Sequence, residues 1–159
     1  MSQPGVIDGL QFARTGSEMR GTIGPAQLPR LAEMSCGVDE IAYAIKGGLN
    51  AEGKLCLRVQ VSGTLQLVCQ RCLGPIAHPV AVDVELELSD SLREIAQADD
   101  DVDRVLASPA MDAAQLVEDE LILGLPLSPR HEGCESAVQG SGESSRPSPF
   151  GVLERLKKH

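Results

Sequence analysis

An α+β fold is what this sequence predicts, and three observations predict it. Between residues 55 and 88 apolar and polar side chains alternate at period two, as on strands that pack one face on a core and wet the other. Between 112 and 125 apolar residues recur at helical spacing, and Pro126 closes the run. At 159 residues the chain is long enough for one domain with a core, plus some unpacked sequence. The expected architecture is an antiparallel β-meander or partly open barrel packed with one main helix, plus a tethered short C-terminal helix.

Composition excludes several function classes. A net charge of −9 removes any general electrostatic grip on nucleic acid, which needs clustered Lys and Arg, so an RNA contact must be local. Phe12, Tyr43 and Phe150 are the only aromatic residues, so no base-stacking platform can be assembled and the core must be aliphatic. Five cysteines is an odd number, and Met1-Ser2-Gln3-Pro4-Gly5 shows no basic stretch leading into an apolar one. No run approaches the roughly 18 apolar residues of a membrane span. The expectation is a soluble, cytoplasmic protein with no membrane partner, where paired cysteines more often mean metal than disulfide.

Taken in order, residues 1–24 are rich in Gly, Ser and Arg and predict an extended arm with one short strand or turn. Arg14 and Arg20 on it could touch phosphate or simply be solvated. Leu28 and Leu31 at helical spacing predict a short helix over 25–34 with Pro29 in its first turn. Ile41 to Ile45 is β-prone and ends at Gly47-Gly48, and Asn50 to Gly53 turn the chain into strands at 54–61 and 64–68. Val80, Val82, Val84, Leu86 and Leu88 then alternate with Asp83, Glu85 and Glu87, completing about four strands. Cys36 and Cys56 read as small core residues. An acidic loop is expected over 89–112, with a brief helix at Leu92 to Ala96. It is a solvated segment, an excluder of non-specific nucleic acid, or a dock for a basic protein.

The main helix takes Asp112 as N-cap and places Ala113, Leu116, Val117, Glu120, Leu121 and Gly124 on one stripe, widened by Ile122, Leu123 and Leu125. Glu118, Asp119 and Glu120 cannot converge on one magnesium ion, because consecutive helix positions point about 100° apart. They read as a solvated or partner-facing patch.

Cysteine spacing supplies the sharpest chemistry. Val68-Cys69-Gln70-Arg71-Cys72-Leu73 precedes Gly74-Pro75 at the tip of a hairpin, where zinc knuckles are built, rather than opening a helix as in thioredoxin-type redox motifs. His131 and Cys134 repeat the three-position separation after the Pro-terminated helix. Cys69, Cys72, His131 and Cys134 together suit structural zinc, and four protein ligands would leave no open position for catalysis. Two other readings stand beside it: thiols that are merely reduced and buried, and a thiol-disulfide enzyme using Cys69 and Cys72. No nucleophile with its base, paired acid and base, or phosphate-cradling loop is present, so no catalytic residue and no small-molecule substrate are expected.

Residues 1–134 are thus read as a single α+β domain. A flexible Ser- and Gly-rich linker follows at 135–147, then a short amphipathic basic tail helix at 148–159. Ser148 would cap that helix, with Val152, Leu153 and Leu156 in one stripe beside Arg155, Lys157 and Lys158. A helix of about ten residues is marginal alone. It should order only against a surface, the domain's own or a partner's. Arg71, Arg146, Arg155, Lys157 and Lys158 are the candidate RNA or partner contacts.

Three blocks also carry a resemblance. Val68 to Leu73, Val117-Glu-Asp-Glu-Leu-Ile-Leu-Gly-Leu-Pro-Leu-Ser-Pro129 with His131 and Cys134 after it, and Pro147-Ser-Pro-Phe-Gly-Val-Leu-Glu-Arg-Leu-Lys157 resemble, in that order, the motifs of the bacterial YceD family. The resemblance implies a cytoplasmic, non-catalytic protein needed for 23S ribosomal RNA to accumulate, also found in plastids, with binding to that RNA. It supplies no catalytic residue, and the zinc site comes from spacing alone. Gly151 departs from the alanine of many relatives and costs a helix about 1 kcal/mol. The expected function is a ribosome-biogenesis factor supporting synthesis, processing or stability of 23S rRNA by binding it or a pre-ribosomal particle. The alternative is an acidic adaptor for a basic ribosomal protein, with no direct RNA contact.

Overall fold

The computed structural model describes residues 5–34 and 36–134. The chain opens with β1 (Val6–Ile7) and α1 (Gly9–Arg14), whose N-cap Asp8 accepts the Gln11 N–H at 3.0 Å. β2 (Glu18–Ile23), a 3-10 turn at Pro25–Gln27 and α2 (Pro29–Glu33) follow, with Pro29 where its missing N–H costs nothing. The body of the sheet is β3 (Gly37–Val38), β4 (Ile41–Leu49), β5 (Leu55–Val68) and β6 (Pro75–Ser89). α3 (Leu92–Gln97), β7 (Arg104–Leu106), β8 (Met111–Asp112) and α4 (Ala113–Leu123) complete the described chain, and Asp112 caps α4 through its bond to Ala114 N–H at 2.9 Å.

The fold is α+β, as the patterning predicts. One open sheet has the order β2-β4-β5-β6-β7, with β3 also on β5, and β1 pairs separately with β8. Every pairing is antiparallel except β6 with β7. β5 and β6 pair without interruption from Cys56↔Glu87 to Val68↔Pro75, so the predicted break near Gly63 does not exist. The inner face of the sheet contributes Ile41, Ile45, Leu57, Val59 and Leu65, which are buried with Leu116, Val117 and Leu121 of α4 and Leu28 and Leu31 around α2. Each such side chain contributes about 1.5–3 kcal/mol by leaving water. Cys36 is part of this core, whereas Cys56 is buried on the far face, opposite Glu87 in register.

Four further expectations are corrected. Residues 1–24 are not an extended arm with one short element: they hold α1 and a whole edge strand, β2, registered from Glu18↔Lys46 to Ile23↔Ile41. The strand was hard to read because Glu18, Arg20 and Thr22 face solvent and only Ile23 is fully buried. β4 also continues through Gly47-Gly48. A Cβ at Gly47 would stand 2.3 Å from the Phe12 carbonyl oxygen, so glycine here admits α1 against the strand rather than ending it.

Segment 89–112 carries the expected brief helix as α3, but β7 then joins the sheet parallel to β6. The reason is electrostatic. Glu87, expected on the wet face, is 5% exposed and accepts from Lys54 Nζ at 3.0 Å, Arg104 Nε at 3.1 Å and Asn50 Nδ2 at 3.2 Å. Burial pushes its carboxyl up, but the Lys54 and Arg104 bonds outweigh that and leave it below the usual range. The same Arg104 grips Asp100 at 2.5 and 2.9 Å and holds that carboxyl down at about 2.

The acidic triplet of α4 is the fourth correction. Glu118 is 3% exposed, and its carboxylate accepts the backbone N–H groups of Arg30 at 2.7 Å and Leu31 at 3.1 Å, as well as Arg30 Nε at 2.8 Å. α2 has no side-chain N-cap of its own, so α4 supplies one from across the core. Glu120 is buried too, and burial, with Asp103 and Asp119 nearby, pushes its carboxyl up. Leu123, 79% exposed, does not widen the stripe.

Replacing Glu118 by alanine strands two buried N–H groups and should cost about 1.5–3 kcal/mol in urea unfolding. Asp119→Ala removes only the exposed partner of Arg30 and should cost under about 1 kcal/mol. Equal effects would contradict the capping role of Glu118.

Candidate metal centre

The tip of the β5–β6 hairpin is closed by its backbone. Cys69 N–H donates to Gly74 C=O at 2.8 Å, and Leu73 N–H donates to Cys69 C=O at 2.9 Å. This reversal forces Leu73 into the left-handed region at φ 60°, costly for a branched side chain and tolerated at a tight turn. It folds Arg71 N–H over the Cys69 sulfur at 3.4 Å and returns Cys72 beside it. Thiolate-binding knuckles have this form.

The second pair arrives from α4. Beyond Gly124 the chain runs through Pro126 to Pro129, whose carbonyl accepts the Gln70 N–H at 2.8 Å and so ties the post-helix segment to the hairpin tip. His131 and Cys134 then form their own turn, with Cys134 N–H on His131 C=O at 3.3 Å and Gly133 at φ 67°. The structure therefore brings Cys69, Cys72, His131 and Cys134 together, with one ligand atom from each lying within 4.8 Å of all the others.

Two of the distances match the edges of a tetrahedral site. Thiolates at about 2.3 Å and an imidazole nitrogen at about 2.0–2.1 Å from a metal would stand about 3.8 Å sulfur to sulfur and about 3.5 Å sulfur to nitrogen. Cys69 Sγ lies 3.8 Å from Cys134 Sγ, and Cys72 Sγ lies 3.4 Å from His131 Nδ1. His131 Nε2 is 2.9 Å from the Pro75 carbonyl, which fixes the ring with Nε2–H donating and leaves Nδ1 as the lone-pair atom aimed at the sulfurs. Gly74 completes the cradle, since a Cβ there would meet Cys72 Sγ at 3.4 Å and His131 Cε1 at 3.7 Å.

Charge distribution within the cluster is uneven. Burial works to raise the Cys69 thiol, but hydrogen bonds from the Cys72, His131 and Arg71 backbones and from the Cys72 side chain bring it down to about 5. Burial and the neighbouring Cys72 and Cys69 push Cys134 up to about 11. The Pro75 carbonyl and then the Cys69 sulfur raise His131. A bound cation would favour the thiolate form of every sulfur and the neutral form of the imidazole, so this donor set could hold a metal ion.

Arg71 stands exposed at the tip, as expected. Arg146, Arg155, Lys157 and Lys158 lie outside the described residues, as do the 135–147 linker and the tail helix. Arg130, which the sequence reading did not single out as a contact, is also exposed and immediately precedes His131.

An open α+β sheet whose longest hairpin meets the segment after its main helix at a Cys/His cluster that could hold a metal ion defines the class of protein. The chain belongs to the YceD family, described as large ribosomal RNA subunit accumulation protein YceD, whose model matches residues 57–157 and so spans both knuckles. It is also similar to the large ribosomal RNA subunit accumulation protein YceD of Haemophilus influenzae, 28% identical over 173 residues that cover 98% of this chain and 96% of the relative. No solved structure matches. Among the described residues no helix is long and apolar enough to cross a membrane.

The two turns make opposite predictions. Leu73 is 74% exposed at positive φ, so Leu73→Gly should leave stability unchanged or raise it by up to about 1 kcal/mol, whereas Gly133→Ala should lower it by about 1 kcal/mol or more. Thermal unfolding of both variants tests this, and destabilisation by Leu73→Gly would contradict the turn geometry.

Proposed function

We propose that this protein is a non-catalytic ribosome-biogenesis factor in which a structural zinc holds a cationic tip against 23S rRNA or a precursor particle containing it. The observation that carries the reading is the convergence of two knuckles, their four donor atoms within 4.8 Å of one another, with Arg71 exposed on one and Arg130 beside the other. Four protein donors leave no vacant position for a reacting water, which favours a brace over a catalyst. The family description supports the rRNA pathway. Because the chain carries −9 overall, a small cationic tip is the kind of local phosphate contact such a protein can make. Placement in the cytoplasm, where ribosomes are assembled, belongs to the same reading.

The acidic adaptor remains as a second reading, favoured by one observation. Asp90, Asp99, Asp101 and Asp103 are exposed around α3 and β7, where a basic ribosomal protein could dock. Association that survives nuclease but weakens with salt would support it over direct RNA contact.

Native mass spectrometry of the purified protein should show one zinc per chain, lost after chelation and lost in both Cys69→Ser and His131→Ala. Each loss should lower stability by about 2.7 kcal/mol or more, the linkage value for a ligand at a hundredfold its Kd. An apo mass with unchanged stability in both variants would sink the zinc reading.

Binding to 23S rRNA fragments, followed against salt, tests the tip. Arg71→Ala and Arg130→Ala should each weaken binding and reduce the slope of log K on log salt by about 0.7–0.9. Slopes identical to wild type would remove both arginines from the interface.

A further inference from the structure

An apolar groove lies beside the Cys/His cluster and no described element fills it. Its volume is about 740 Å³, and Met34, Cys36, Leu67, Ile122, Leu125 and Leu127 line it between the α2–β3 connection, the end of β5 and the end of α4. Met34 is 53% exposed, Leu127 104% and Val68, at the same wall, 37%. Pockets of about 300–1,000 Å³ hold drug-sized ligands, so this one has room for several apolar side chains of one short segment.

Where the chain goes next decides the occupant. Pro129 and Gln70, joined by their 2.8 Å backbone bond, form one end of the groove. The chain then passes through His131 and leaves the described region at Cys134, whose sulfur is 3.8 Å from that of Cys69, the residue after the groove-lining Val68. Its point of departure is therefore the rim of the groove. After the thirteen residues 135–147, in which Val138 is the only large apolar side chain, come Phe150, Val152, Leu153 and Leu156. Thirteen residues taken as a random coil would span about 20 Å root-mean-square, at about 5–6 Å × √n, and would hold the following segment at millimolar effective concentration.

Charge favours the same match. Residues 135–159 carry Arg146, Arg155, Lys157 and Lys158 against Glu135, Glu143 and Glu154, a net +1 that leaves −10 on residues 1–134 out of the chain's −9. A cationic segment whose Val152, Leu153 and Leu156 would share one face of a helix complements an apolar groove on an acidic body.

We propose that the segment Phe150–Leu156 docks into this groove of its own chain, covering Met34 and Leu127. The tail's cations would then lie at the end of the molecule that bears Arg71 and Arg130. The docking itself requires neither metal occupancy nor RNA binding.

Phe150 provides the test, because neither of the chain's other aromatic residues, Phe12 and Tyr43, lines the groove. In methyl NMR of the full chain, the Met34 and Leu127 methyls should be displaced by the Phe150 ring current, independently of protein concentration. Phe150→Leu should abolish the displacement, and Leu153→Asp should move the same methyls to solvent-exposed positions, while Ile45 and Leu65 in the core stay fixed as a control on folding. Groove methyls unaffected by either substitution would overturn the proposal. So would displacements that grow with concentration, which would make a second copy the occupant.

Discussion

The long antiparallel pairing of β5 with β6 is the constraint on which the rest of the structure depends. Its register, fixed from Cys56↔Glu87 to Val68↔Pro75, puts Leu57, Val59, Val61, Leu65 and Leu67 on one face. A slip of one residue would turn that whole set to water, so burial of the face specifies the register. The same register carries the chain to a tip at which Cys69 and Cys72 are presented together. Core packing and metal-donor geometry are thus two ends of one hairpin, and α4, packed on the inner face, delivers His131 and Cys134 to the same end.

Two inward-turned carboxylates lock the pieces that the sheet alone does not fix. Glu87 draws Asn50, Lys54 and Arg104 together and so binds the β4–β5 turn and β7 to the sheet. Glu118 joins α4 to the N-terminus of α2. Burying a carboxylate is costly, and the cost is offset here because three hydrogen bonds reach each: from Lys54, Arg104 and the Asn50 amide at Glu87, and from two backbone N–H groups and Arg30 at Glu118. An acidic chain has carboxylates to spare for this use. Among the exposed cations, Arg71 and Arg130 are the two that adjoin the Cys/His cluster in sequence, which gives them their weight in the functional reading.

Much of this was legible from residue order. Strict alternation from Val80 to Leu88 defined β6, and the Asp112 cap with its apolar stripe and Pro126 bounded α4 closely. The paired three-residue spacings picked out the four side chains that the fold brings together, because a local turn sets the two members of such a pair side by side. The N-terminal helix and strand were not legible, since β2 is a half-exposed edge strand with a polar outer row and α1 is too short to show a period. Gly47 looked like a terminator because a glycine marks both a turn and a close backbone approach, and only the neighbour tells them apart.

By itself, then, the sequence determined which segments are strand or helix wherever a buried face imposes a period, and which four side chains have the chemistry and local spacing of metal donors. It could not determine that the two knuckles meet. That depends on the Gln70 N–H bonding to the Pro129 carbonyl and on α4 lying across the inner face, contacts between segments far apart in the chain. The inward turn of Glu87 and Glu118 was likewise decided by tertiary structure. A carboxylate's sequence neighbours do not reveal whether water or a distant donor will satisfy its oxygens, and only the assembled fold supplies that partner.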